Sequence, residues 1–348
     1  MVVSEEFLRK LPKCEHHLHI EGTLEPDLLF PLAERNGVKL PDTFPQTVQE
    51  LNEKYKSFAD LQDFLNYYYI GTNVLITEED FFQLTWEYFK KISKQSVVHT
   101  EIFYDPQSHT DRGIKLATVT NGIKRACEKA EKEFGITSKI IMCLLRHIEP
   151  AKCLETIEEA KDFLVDGTIT GLGLDSAEKP FPPHLFVECY ERAREINKDL
   201  KLTAHAGEEG SAKYVSDSLD LLQTTRVDHG VNSIQDGELM KRLADEQIML
   251  TVCPLSNVKL QVVSDVKELP LQKLIDNNVP FSLNSDDPAY FGGYILDNYL
   301  QVAKSFPHWD YNVWSRIAKN AINGSWCDEK RKFELLERVD SVVQEFSK

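Results

Sequence analysis

Four short stretches hold the side chains best able to bind a metal or move a proton. In the first, Lys13, Glu15, His17 and His19 alternate. The two-residue period of a β-strand puts all four on one face, with the histidines last. Two imidazoles spaced in this way can share one metal ion. The bland alternative is a pair of surface histidines, and His16 beside them reads as a surface residue of that kind. The second stretch, Thr-Ala-His-Ala-Gly-Glu at 203–208, closes an apolar strand with His205. Gly207 then lets the chain turn sharply, and the carboxylate of Glu208 follows three residues on, a layout suited to a metal ligand plus an acid or base. In the third, Val-Asp-His-Gly at 227–230, His229 again precedes a glycine; a helix cap at Asp228 and a structural His229 compete evenly with function there. The fourth stretch ends in Asp286, Asp287 and Pro288. Adjacent carboxylates repel unless a cation or a proton-donating ligand separates their roles, although such a turn is common in loops.

What must position these groups is legible as eight short apolar segments, each followed by a helical pattern. They are roughly Leu11–His19, Val97–Tyr104, Lys139–Arg146, Ile169–Asp175, Lys201–His205, Arg226–His229, Ile248–Cys253 and Val279–Asp286. Eight strands alternating with helices predict an α/β protein with a closed parallel (β/α)8 barrel. An open doubly wound sheet is the competitor, but no Gly-rich phosphate loop follows the first strand. All four chemical stretches then fall at the C-terminal ends of barrel strands, the face that carries active sites in this fold. Random histidines would not be so placed. Counting donors gives His17, His19, His205 and Asp286: three nitrogens and a carboxylate suit a single zinc with one position open to water. No lysine ends the fourth strand to bridge a second ion, and no two of the seven cysteines are three apart, so the alternative zinc layout of H-x-E with P-C-x-x-C is absent.

Between the first two strands lie roughly 75 residues, more than one crossover needs. Extra helices over the barrel mouth are therefore expected at about 23–95, with Thr23 capping one and Thr77 opening another. Phe58, Leu61, Phe64, Leu65 and Tyr68 recur at helical spacing there; ordinary core is their usual meaning, yet such a face could cover a flat heterocycle. Three further helices, near 293–305, 310–323 and 328–346, close the outer ring. The whole chain, 1–348, is expected to be one domain.

Lys and Arg total 40 against 56 Asp and Glu, a net charge of −16, which repels phosphate backbones and anionic membranes and leaves an uncharged base or nucleoside unaffected. A small-molecule partner is expected, and neither nucleic acid nor membrane. Seven scattered cysteines fit reduced thiols of an intracellular protein. The first residues lack the basic and apolar runs of a secretory signal, and no apolar stretch approaches the about 18 residues of a membrane span. A cytoplasmic protein, one that could also enter the nucleus, is the expectation.

Taken together, Pro-Lys-Cys-Glu-His-His-Leu-His-Ile-Glu-Gly at 12–22 and the stretches at 203–208, 227–230 and 282–288 resemble the adenosine and adenine deaminase family. Leu-Gly-Leu-Asp-Ser-Ala-Glu-Lys-Pro at 172–180 and Phe-Tyr-Asp-Pro-Gln-Ser-His-Thr at 103–110 are similar to its fungal, adenine-specific branch. The resemblance implies zinc-dependent hydrolysis of adenine to hypoxanthine and ammonia in purine salvage. The alternatives are the same chemistry on adenosine, or a barrel that binds purines without catalysis. It further implies that His229 orients the attacking water, Glu208 protonates N1 and Asp287 bonds N7. Glu21 and Glu178 differ from the adenosine enzymes, and Glu178 is expected to accept the N9–H that a free base carries and a nucleoside lacks.

Overall fold

The computed structural model describes residues 3–347. The described residues form nine strand segments: β1 (Lys13–His19), β2 (Val97–Tyr104), β3 (Thr137–Leu145), β4 (Gly171–Asp175), β5 (Lys201–Leu202), β6 (His205–Ala206), β7 (Arg226–His229), β8 (Met249–Val252) and β9 (Phe281–Leu283), of which β2, β3 and β8 are rich in β-branched and apolar residues. They pair in parallel in the orders β1-β2-β3-β4-β5 and β6-β7-β8-β9. Thr203 and Ala204 interrupt what is otherwise a single strand between β5 and β6. Hydrogen bonds from Thr203 N–H to Leu172 O (3.0 Å) and from Asp228 N–H to Ala204 O (2.9 Å) carry the ladder across the gap. At the other seam, Asp286 N–H donates to His17 O and His19 N–H to Asp286 O, each at 3.0 Å. Nine segments thus fill eight places, and the barrel closes as the alternation of strands and helices predicts.

Closure buries most of the strand residues on both faces, and every residue of β1 is buried. That corrects the expectation for His16, which is not on the surface. It lies on the outer side of β1 beneath the helix Tyr311–Gly324, with its ring nitrogens 3.1 Å from Ser282 Oγ and 2.8 Å from Ser325 Oγ.

Four helices, Pro26–Arg35, Val48–Lys54, Leu61–Thr72 and Glu78–Ile92, separate β1 from β2. The first is not capped by Thr23: Pro26 follows a Glu25 cap, while Thr23 belongs to the short turn Glu21–Thr23 and donates its hydroxyl to Ile20 O at 2.7 Å. Thr77 does open the last of them, in a reciprocal capping box with Asp80. After β9 come the helices Ile295–Ser305, Tyr311–Gly324 and Glu329–Phe346. Among the described residues, no helix is long and apolar enough to cross a membrane.

Candidate active site

The C-terminal ends of the strands bring the histidines together. His17 and His19 project from β1, His205 from β6 and His229 from β7, while Asp286 sits where the chain rejoins β1 after β9. His19 Nε2 and His205 Nε2 are 3.2 Å apart, and Asp286 Oδ1 lies 3.3 Å from His17 Nε2 and 3.5 Å from His19 Nε2. His17, His205, His229 and Asp286 can each offer one atom within 4.8 Å of the others, and His19 adjoins that group through His205 and Asp286, so five candidate donors lie together. The His17, His19, His205 and Asp286 read from the sequence are all among them, and His229 is as close.

The chemistry of these donors fits a cation. Burial, aided by the neighbouring imidazoles, pushes His205 well below the usual imidazole range and His229 down to about 3, leaving neutral lone-pair donors. His17 Nε2 is buried without a hydrogen-bond partner, a costly arrangement that a cation would relieve. A second layer orients the rings. His17 Nδ1 is 2.9 Å from Thr251 Oγ1, which donates to Asp228 Oδ1 at 3.0 Å, while the other Asp228 oxygen is 3.6 Å from His205 Nδ1. Asp228 is therefore a support for two rings rather than a helix cap.

The chain geometry here is unusual. Ser176, His229 and Asp286 all have positive φ, of 68°, 62° and 64°, a conformation that costs non-glycine residues about 1 kcal/mol or more each and clusters at functional sites. Gly22 is required for a different reason, since a Cβ there would overlap Asp287.

Above the donors lies a pocket lined by His19, Glu208, His229, Asp286 and Asp287 from the barrel, and by Leu61, Phe64, Leu65, Tyr68 and Tyr69 from the helix Leu61–Thr72. Of the apolar residues at helical spacing in the sequence, Leu61, Phe64, Leu65 and Tyr68 thus line the pocket, whereas Phe58 precedes the helix and does not. Glu208 Oε2 is 3.4 Å from His229 Nε2, and Glu208 Oε1 accepts a 2.9 Å hydrogen bond from Asn257 Nδ2. Burial raises the Glu208 carboxyl well above the ordinary carboxylate range, reinforced by the charges of Asp286 and Glu178. Asp287 is raised too, by burial and then by Asp286.

Glu178 is not where the sequence reading put it. Its two oxygens accept the backbone N–H groups of Gly207 (2.9 Å), Glu208 (2.7 Å), Glu209 (3.2 Å) and Gly210 (3.2 Å), and it does not line the pocket. The expected contact with a purine N9–H is corrected on that ground, because all the accepting capacity already serves the loop that carries Glu208. Gly207, with φ +79°, begins that loop.

Three polar residues escaped the sequence reading: Asp105, just after β2, Asp175, ending β4, and Asn257 in the helix Pro254–Lys259. Asp105 and Asp175 line the same pocket. Their signal was the one used elsewhere, a carboxylate at the C-terminal end of a barrel strand; Asn257 had none.

Comparison with known proteins places the chain among purine deaminases in sequence and structure. The family described as "Adenosine deaminase" matches residues 12–342. An adenine deaminase of Saccharomyces cerevisiae is 73% identical over 346 residues, 99% of this chain and 100% of that one. That of Schizosaccharomyces pombe is 49% identical over 345 residues, 98% and 93% of the two chains. The crystal structure of an adenine deaminase from Arthrobacter aurescens superposes with a TM-score of 0.91 at 42% identity, covering 96% of this chain and 99% of that one.

Proposed function

The chain belongs to the adenosine deaminase family, and from that premise we infer that it hydrolyses adenine to hypoxanthine and ammonia. Full-length identity with adenine deaminases supports the substrate. The observation that carries the chemistry is the buried convergence of His17, His19, His205 and Asp286 beneath a pocket edged by Glu208 and Asp287.

These four residues would hold one zinc ion, for which neutral imidazoles and a carboxylate are suitable donors. Such an ion supplies a Lewis acid that makes water nucleophilic near neutral pH. The remaining work falls to the protein. His229, whose Nε2 faces both Glu208 Oε2 (3.4 Å) and Asp286 Oδ2 (3.8 Å), orients the water that attacks C6. Attack moves electron density onto N1, and Glu208, kept protonated by burial, gives N1 its proton. Asn257 fixes the Glu208 carboxyl through the other oxygen. Asp287 meets N7. Leu61, Phe64 and Leu65 cover the ring and exclude bulk water. The chain acts as one barrel domain whose helices between residues 26 and 92 form the lid, and seven unpaired buried cysteines support a cytoplasmic setting.

The deciding experiment compares ammonia release from adenine and adenosine by purified protein. Turnover of adenine at least about a hundredfold above adenosine is expected, since buried polar groups discriminate strongly; equal rates, or turnover of adenosine alone, would contradict the assignment.

A further inference from the structure

One wall of the pocket carries two carboxylates, each with an oxygen that deamination leaves idle. The cation donors and the partners of N1 and N7 come from β1, β6, β7 and the segment after β9. A purine with C6 over that cluster, N1 at Glu208 and N7 at Asp287 turns its remote edge, N3 and N9, toward the ends of β2, β3 and β4. Asp105, Leu145 and Asp175 line the pocket there.

Both aspartates are 2% exposed. Asp105 Oδ2 accepts the Tyr68 hydroxyl at 3.2 Å, and Asp175 Oδ2 is 3.4 Å from His19 Nδ1. The second oxygen of each, Oδ1, is buried with no hydrogen-bond partner. Among the described residues no lysine or arginine lines this pocket; burial and the neighbouring Asp105 raise the Asp175 carboxyl, so the two acids can share a proton, and a ligand N–H is the donor the pair still lacks. Asp105 is itself held in place. Its backbone N–H donates to Glu21 Oε1 at 3.1 Å, and the same oxygen accepts from His109 Nε2 at 2.9 Å. Arg112 Nη2 approaches His109 Nδ1 at 2.7 Å, and because arginine only donates, the ring proton is on Nε2, toward Glu21.

We propose that Asp105 and Asp175 are the specificity-determining residues that accept the N9–H of a free purine and thereby reject purines substituted at N9. The proposal rests on the deamination of a free base inferred above. A glycosyl or alkyl group at N9 brings no donor and leaves the buried pair without the N–H it would accept, the situation in which sites reject analogues most strongly. Glu21 and His109 act through Asp105 as positioning residues.

The test uses the metal-loaded enzyme with adenine and 9-methyladenine, which differ at N9 alone. Wild-type kcat/KM should favour adenine by about 10⁴-fold. In Asp105→Ala and Asp175→Ala that ratio should fall at least tenfold, through loss on adenine rather than on the methylated base. Should the alanine variants not fold, the isosteric Asp105→Asn and Asp175→Asn should move the ratio in the same direction by severalfold. Folded variants with an unchanged ratio would overturn the proposal. So would a second bound equivalent of divalent metal that disappears in these variants, because His19, Asp105 and Asp175 are also close enough to share a cation. A wild-type enzyme inert toward adenine would remove the premise, and the proposal with it; turnover of adenine with no response in the variants would count against the proposal alone.

Discussion

Glu208 works by being the wrong carboxylate for water: buried, it prefers to be neutral, which is the form that can protonate N1. Glu208→Gln should keep its metal while kcat falls about 10²–10⁴-fold, the usual contribution of a general acid; turnover near wild type in a metal-replete variant would take Glu208 out of the mechanism. The sign of the pH dependence follows. The active form is the protonated one and the carboxyl titrates above its ordinary range, so kcat should decline on the alkaline side, and that limb should be missing from the residual activity of Glu208→Gln. Glu178 is essential to the same group at one remove. In Glu178→Gln the amide oxygen can accept from only part of the four N–H groups, and the amide nitrogen faces the rest as a competing donor. Stranded buried N–H groups cost about 1–3 kcal/mol each, so denaturant unfolding should show a loss of a few kcal/mol, accompanied by lower kcat. The difference between these two glutamates also marks what a sequence exposes. Glu208 follows a strand-end histidine and a glycine, a local pattern with chemical meaning, whereas Glu178 is explained only by a loop 29 to 32 residues away along the chain.

At the level of elements, the existence and order of the strands were legible because parallel barrel strands are short apolar runs, but their ends were not. The last strand stops at Leu283 instead of reaching Asp286, because Asp286 takes up a left-handed conformation to return to β1. The fifth breaks in two where Thr203 turns its hydroxyl onto Asp228 at 2.8 Å. Long-range partnerships decide both details. They also decide the role of the helix Pro254–Lys259, which supplies Asn257 to Glu208 at its middle and Lys259 to the lid at its end. Lys259 Nζ donates to Lys56 O at 2.7 Å, and Gln261 Nε2, just beyond, donates to Ala59 O at 2.8 Å and Phe58 O at 3.1 Å. Removing this latch in Lys259→Ala/Gln261→Ala should speed amide hydrogen exchange around residues 55–65 and raise KM for adenine severalfold, with metal content unaltered. Unchanged exchange there would show that apolar packing alone holds the lid.

At the scale of the whole molecule, the end of the barrel remote from the pocket holds a group that works against folding. Lys13 is fully buried with only the carbonyls of Leu8 (2.6 Å) and Leu11 (2.9 Å) as acceptors, and burial pushes its ammonium down from 10.5 to about 7. Between those two values the unfolded chain binds a proton that the folded chain does not, so stability rises with pH across that window and the penalty is complete below it. Lys13→Met should therefore gain on the wild type most below pH 7 and least near pH 10, as read from denaturant midpoints; a pH-independent difference would mean that Lys13 stays charged in the folded chain as it does in the unfolded one. The mouth of the barrel has the opposite logic, a set of neutral rings and one carboxylate that needs a cation to be satisfied. Metal content per chain of the purified protein, by elemental analysis, tests that most directly. One equivalent of zinc, lost in His205→Ala together with ammonia release, is the expected result. Protein that holds no stoichiometric divalent ion yet deaminates adenine at full rate would contradict it.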